Sequence, residues 1–214
     1  MITVVIPTYG DEIWREIAGR AYESAKDQAP VIHVHGDDLA DARNKCVAKV
    51  KTDFVVHLDA DDVLLPGYVN AMLRGSADVR VPMVRNMHNN HREPYYPHVY
   101  KHRHLCQPEC LLEGNYIVIG AAVRTDLVRE VGGWWQEPLY EDWSLFLRCY
   151  RAGASFEYVP DAIYGWHKSP HSRNHSGPAY ARRDYWHQKI GHSIYPDLYH
   201  DPDYEAESVS GGAV

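Results

Sequence analysis

Nothing in this sequence comes near the ~20 consecutive apolar residues that a membrane-spanning helix needs. Its longest apolar stretches are of the size of Ile117 to Val123, so no membrane anchor is expected. Basic charge is also scarce, with 22 Lys and Arg against 29 Asp and Glu for a formal charge of -7. A protein that binds nucleic acid regardless of sequence carries the opposite excess, to displace counterions from phosphates. Cysteine is too thin for a disulfide framework: Cys46, Cys106, Cys110 and Cys149 are scattered over 214 residues, which reads as free thiols in a reducing, cytoplasmic setting. No basic and then apolar leader is visible, because a β-like run begins at Ile2 and meets Pro7 at once. Phenylalanine is rare at 3 residues, whereas there are 16 Tyr, 14 His and 6 Trp. Rings with a polar edge suit a polar binding cleft. With 45% hydrophobic and 24% charged residues the rest is ordinary for a globular protein, and the length favours one compact domain over two.

Short β-branched runs alternate with helical patterns through the first half, the signature of an α/β domain with a largely parallel sheet. Strands are expected over Ile2 to Pro7, Val31 to His35, Asp53 to Leu58 and Asp78 to Arg85. Helices are expected over Asp11 to Gln28, where Ile13, Ile17, Ala21 and Ala25 form one stripe, from Leu39 to Val50, and from Pro66 to Arg74. From Asn86 to Leu111 periodicity is lost in a polar, His- and Tyr-rich stretch, and a loop of that length usually serves function. Beyond it we expect a strand over Asn115 to Val123 and a short helix over Thr125 to Val131 with a glycine stop at Gly132-Gly133. A strongly amphipathic helix over Glu141 to Gly153 follows, then strands over Ser155 to Val159 and Ile163 to His167, and a last helix over Pro178 to Ile190. The expected layout is one domain over residues 1–204, with a nucleotide-binding half to about residue 85 and an acceptor and catalytic half after it. Residues 205–214 read as a flexible tail.

Asp59, Asp61 and Asp62 end an apolar strand, where open α/β sheets bind ligands. Three anions so close repel one another, and a divalent cation with oxygen ligands is the simplest compensation. Alternation lets Asp59 and Asp61 point to the same side. Mg²⁺ or Mn²⁺ takes carboxylates together with diphosphate oxygens, so a metal-bound nucleotide is the natural guest. The competing reading is a solvated acidic turn that caps the following helix, since D-x-D alone is a weak motif.

Four further segments accompany that motif in order: Val4-Val5-Ile6-Pro7-Thr8-Tyr9, Ala42-Arg43-Asn44, Gly132-Gly133-Trp134, and Glu141-Asp142-Trp143 with Arg148 and Gly153. Together with Leu58 to Asp62 they resemble the family-two inverting glycosyltransferases of the GT-A fold, over Ile2 to about Ser176. The resemblance implies an α/β GT-A fold, with a mostly parallel sheet between helices, and transfer of a sugar from a nucleotide-diphosphate donor, a UDP-sugar favoured, to a hydroxyl. It implies that Pro7, Thr8 and Tyr9 border the nucleotide base and that Asp37 meets its imide edge. Asp38 and Arg43 are only five residues apart, where the family usually has a further strand and loop. Arg43 and Asn44 would lie beside the nucleotide and its phosphates, Asp59 near ribose and metal, Asp61 as principal ligand of Mn²⁺ or Mg²⁺, and Asp62 in support. Asp142 would be the base, at a helix N-terminus whose free N–H groups favour a carboxylate, with Glu141 beside it.

In the same comparison, Trp166 to His175 occupies the place of a loop that closes over the donor, with His167 ahead of His171 and His175 as a metal or phosphate contact and Ser172 at the diphosphate. Trp134 and Trp135 are candidates to stack on a sugar or acceptor, Trp134 equally a packing plug. The run from His102 to Cys110 has zinc-binding residue types but no well-attested spacing. The acceptor is open among a small molecule, a protein and a nucleic-acid base. Two rivals are a sugar-1-phosphate nucleotidyltransferase, which shares the acidic site but has a basic, glycine-rich first loop where Thr8-Tyr9-Gly10-Asp11-Glu12 is acidic, and a nucleotide-sugar-binding module without catalysis.

Overall fold

The computed structural model describes residues 1–87, 107–167 and 181–200. Seven strands, β1 (Ile2–Tyr9), β2 (Val31–Gly36), β3 (Phe54–His57), β4 (Val63–Leu64), β5 (Val79–Asn86), β6 (Ala122–Arg124) and β7 (Phe156–Trp166), form one sheet in the order β2-β1-β3-β6-β5-β7-β4. Parallel pairing joins β1 to both β2 and β3, and β5 to β7, whereas β6 and β4 run against their neighbours. Five strands therefore share one direction, with β6 and β4 reversed. The helices are α1 (Ile13–Ala25), α2 (Leu39–Lys49), α3 (Tyr68–Leu73), α4 (Thr125–Glu130), α5 (Glu141–Arg151) and α6 (Arg183–Ile194), with a 3-10 turn at Pro108–Leu112.

The first β-α-β units arise where expected. β1 is buried from Ile2 to Thr8, as a strand covered on both faces must be. Helix α2 starts at Asp38, whose side chain accepts from the Asp41 N–H, an N-cap that satisfies a helix donor. Tyr9 pairs with Gly36 and Val5 with His57, so the carboxyl ends of β1, β2 and β3 lie on one edge, and Asp37 and Asp59 leave the sheet there.

The second half departs from expectation in three places. The Asn115 to Val123 run forms ladder only at Ala122–Arg124; Ile117, Val118 and Ile119 are buried without joining it. Two expected strands are one, β7, whose register on β5 shifts between Pro82 and Met83. The last helix runs from Arg183 to Ile194, later than the sequence pattern suggested. No helix among the described residues is long and apolar enough to cross a membrane.

Candidate active site

Arg43 is the centre of the site. It sits on α2 with 2% of its surface exposed, and it spends its two terminal nitrogens on two different elements. Nη1 donates to Glu141 Oε1 at 3.0 Å, at the start of α5, and Nη2 lies 3.3 Å from Asp59 Oδ1, past the end of β3. Its guanidinium also stacks 4.3 Å from the centroid of the Trp134 ring. Burial works against its charge, but Glu141, Asp59 and Asp142 outweigh that and hold it firmly protonated.

The Gly132-Gly133-Trp134 segment is what Arg43 rests on, and its shape is fixed from both sides. Gly132 and Gly133 take φ of +86 and +68, with the Gly133 N–H bonded to the Val128 carbonyl at 2.8 Å, closing α4. Asn44 then binds Trp134 reciprocally: its Nδ2 donates to the Trp134 carbonyl and its Oδ1 accepts from the Trp134 N–H, both at 2.9 Å. From α5, Arg148 Nη1 donates to the carbonyls of Val131 and Gly133, and burial lowers this guanidinium to about 10. The Trp134 indole N–H donates to His57 Nε2 at 3.1 Å. That ring accepts only when unprotonated on Nε2, and burial, with Arg43 nearby, keeps its pKa well below the usual value.

Asp142 follows Glu141 in the first turn of α5. The preceding Tyr140 has φ 61, the one positive φ outside glycine among the described residues, and such conformations gather at functional sites. Asp142 Oδ1 accepts from the Trp143 N–H at 2.8 Å. Burial, then the charge of Glu141, pushes its carboxyl up to about 7, against the pull of Arg43 and the Trp143 N–H, with Asp59 adding to the rise. A carboxyl poised there exchanges protons near neutrality.

The acidic triplet is divided. Asp62 is 3% exposed; it accepts from the Tyr164 hydroxyl at 2.7 Å and the His167 N–H at 2.8 Å, and burial with its acidic neighbours raises its pKa well above the usual range. It fastens the strand-end turn to the end of β7. Asp59 is tied to Arg43, and Asp61 is half-buried beside it in the chain. Among the described residues no three His, Cys, Asp or Glu side chains gather into a metal-binding group.

The other sequence-derived candidates fall as follows. Pro7 is buried and Tyr9 half-buried at the end of β1. Thr8 is 1% exposed, its hydroxyl 2.9 Å from His33 Nε2 and 3.1 Å from His35 Nδ1. Asp37 is exposed, 3.6 Å from Lys45 Nζ. Of the two readings open for Trp134, acceptor platform and packing plug, its burial fits the plug: it is 3% exposed beneath Arg43. Trp135 keeps 38% exposure, with Arg148 4.1 Å from its ring centroid. His171, His175, Ser172, the tail over 205–214 and the run 102–106 lie outside the described residues; Cys46 and Cys149 are buried free thiols. Sequence reasoning missed His57 and Tyr164. A lone His among the apolar residues of β3 was the available signal.

Residues 20–187 match the sequence profile described as glycosyltransferase-like family 2. The chain belongs to that family. It is a glycosyltransferase, and its sheet is that of the GT-A fold. Among solved structures it is similar to S. aureus TarS 1–349 in complex with UDP-GlcNAc, with a TM-score of 0.63 and 11% identity over 98% of this chain and 70% of that one. The same protein in complex with UDP gives a TM-score of 0.59 at 12% identity with the same coverage. S. aureus TarS itself gives 0.55 at 10% identity, over 98% of this chain and 42% of that one. No curated protein matches the family-two chain by sequence.

Proposed function

We propose that this glycosyltransferase moves a sugar from a nucleotide-diphosphate donor, a UDP-sugar, to an acceptor hydroxyl with inversion, and that Asp142 is its base. The observation that carries this is the Asp59–Arg43–Glu141 bridge, built on a buried guanidinium. It holds the start of α5, with Asp142 next in the chain, against the strand end where an α/β sheet receives a nucleotide. Asp142 takes the proton of the acceptor hydroxyl as that oxygen attacks the anomeric carbon from the side opposite the diphosphate. Holding base and donor in one rigid frame supplies much of the remaining acceleration. Tyr9 and Asp37, at the ends of β1 and β2, border the base. The similar TarS structures with UDP-GlcNAc and UDP support the choice of donor.

The residues present fit Mn²⁺ or Mg²⁺. Mg²⁺ is commonly held by one or two carboxylates plus substrate phosphates rather than by an all-protein cage, and Asp61, half-buried beyond the carboxyl end of β3, is the carboxylate we assign to it. When bound, the ion supplies charge stabilisation to the departing diphosphate. Thermal shift with UDP-, GDP-, dTDP- and CMP-sugars, with and without Mn²⁺, tests the reading. UDP-sugars raise Tm by mass action, more so with Mn²⁺, and Asp61→Ala removes the Mn²⁺-dependent part. A panel in which no sugar nucleotide moves Tm overturns the donor class, and an unchanged Mn²⁺ effect in Asp61→Ala overturns the ligand.

A further inference from the structure

The A-R-N arginine is expected beside the nucleotide, yet it is 2% exposed and spends both terminal nitrogens on carboxylates of this chain. We infer that Arg43 is a positioning residue for Asp142: through its paired contacts with Glu141 and Asp59 it sets the place of the first turn of α5 relative to the donor edge, and Glu141 is its anchor rather than a second base. The inference rests on Asp142 acting as the base.

The geometry is specific to a guanidinium. One planar fork spans two carboxylates from elements 98 and 16 residues away in the chain, which an ammonium, a point charge, does not reproduce. The fork is itself supported from below. Trp134 underlies it, Asn44 next to it in the chain fixes the Trp134 backbone, and His57 fixes the Trp134 indole. Glu141 has a side-chain exposure of only 13% with its Oε1 on Arg43, so taking a substrate proton there means breaking a buried ion pair. The charged groups around Asp142 are Glu141 on its own helix, Arg43 from α2 and Asp59 beyond β3, with the Trp143 N–H as its hydrogen-bond donor.

Those signs give a test that a merely structural arginine does not pass. Asp142 is followed by carbon-13 carboxyl NMR in the ligand-free full chain, its resonance assigned by loss in Asp142→Asn. Removing the cation in Arg43→Gln moves the Asp142 midpoint to higher pH. Removing the like charge in Glu141→Gln moves it to lower pH, and this milder change keeps the test alive if Arg43→Gln fails to fold. Arg43→Lys keeps the charge but loses the fork, so with a UDP-sugar donor its kcat falls by about 10²-fold, the scale of a misplaced group, while UDP affinity is retained. Midpoints that stay put, or that move the same way in both neutral variants, overturn the inference, as does Arg43→Lys at wild-type kcat. The underlying reading fails differently: Asp142→Asn then transfers sugar at the wild-type rate whatever the NMR midpoints show.

Discussion

At the scale of single residues, Asp142 as the proposed base joins chemistry to stability through one property, a folded carboxyl pushed up to about 7 from an ordinary value of 3.8. A base must be ionised to work, so kcat rises with pH through about 7 and levels off above it, measured as a pH–rate profile with donor saturating. Asp142→Asn keeps the size of the side chain and an oxygen for the Trp143 N–H but accepts no proton. Turnover then falls by about 10²–10⁴, with donor KM little changed, and the acidic limb disappears. The same shift acts on folding. A carboxyl raised in the folded state favours folding fully below the unfolded value and loses that contribution as pH rises through the folded one. Asparagine has no such dependence. The Tm of Asp142→Asn relative to wild type therefore climbs between about pH 4 and pH 7 and is flat beyond, a signature that thermal melts in a pH series detect without any acceptor.

At the scale of elements, the stop after α4 and the helix α2 are coupled through one contact. A Cβ on Gly133 stands 2.5 Å from Asn44 Oδ1, on a backbone of φ +68, so Gly133→Ala incurs strain and breaks the Asn44 clamp together, at about 1–3 kcal/mol in urea unfolding. In an Asn44→Ala background the clash is gone and only the backbone strain remains. The second Gly133→Ala then costs about 1 kcal/mol, and the two substitutions are non-additive. These elements also mark how far the sequence could be read. The A-R-N, D-x-D, G-G-W and E-D segments were visible as motifs, and the structure brings Arg43, Asn44, Asp59, Trp134 and Glu141 into one contacting set. What the motifs did not carry was direction. Arg43 and Trp134 point inward because α2 packs over β1 and β2, and that depends on contacts between segments some 90 residues apart. Nor does an apolar run reveal whether it is buried as ladder or as loop: Ile117 to Ile119 have the pattern of a strand, but β6 begins only at Ala122. The β7 merger has the same cause, since the bulge opposite Pro82 and Met83 lets one strand continue where two, ending at Val159 and starting at Ile163, were expected.

At the scale of the whole molecule, the division into a nucleotide half and an acceptor half that the sequence led us to expect cuts across the sheet. Strands β6 and β7 belong to the later half, yet β6 lies between β3 and β5 of the earlier one and β7 between β5 and β4, so the first 87 residues alone would expose an edge of β3, both edges of β5 and the paired edge of β4, and lose the links between them. The site is interleaved in the same way, because Arg43 and Asp59 come from the first half and Glu141 from the second. Breaking such a pair around a buried guanidinium is among the costliest changes a protein meets. The halves should therefore unfold together. In urea, tryptophan fluorescence reports from Trp14 in the first half and from Trp134, Trp135, Trp143, Trp166 and Trp186 in the second, while far-UV circular dichroism reports on all the helices. The two probes should trace one coincident transition, and a saturating UDP-sugar should move both midpoints upward by the same amount. Two separated transitions, or a fluorescence midpoint that the ligand shifts alone, would mean that the sheet tolerates division between β5 and β6 and that the Arg43 bridge contributes little to holding the molecule together.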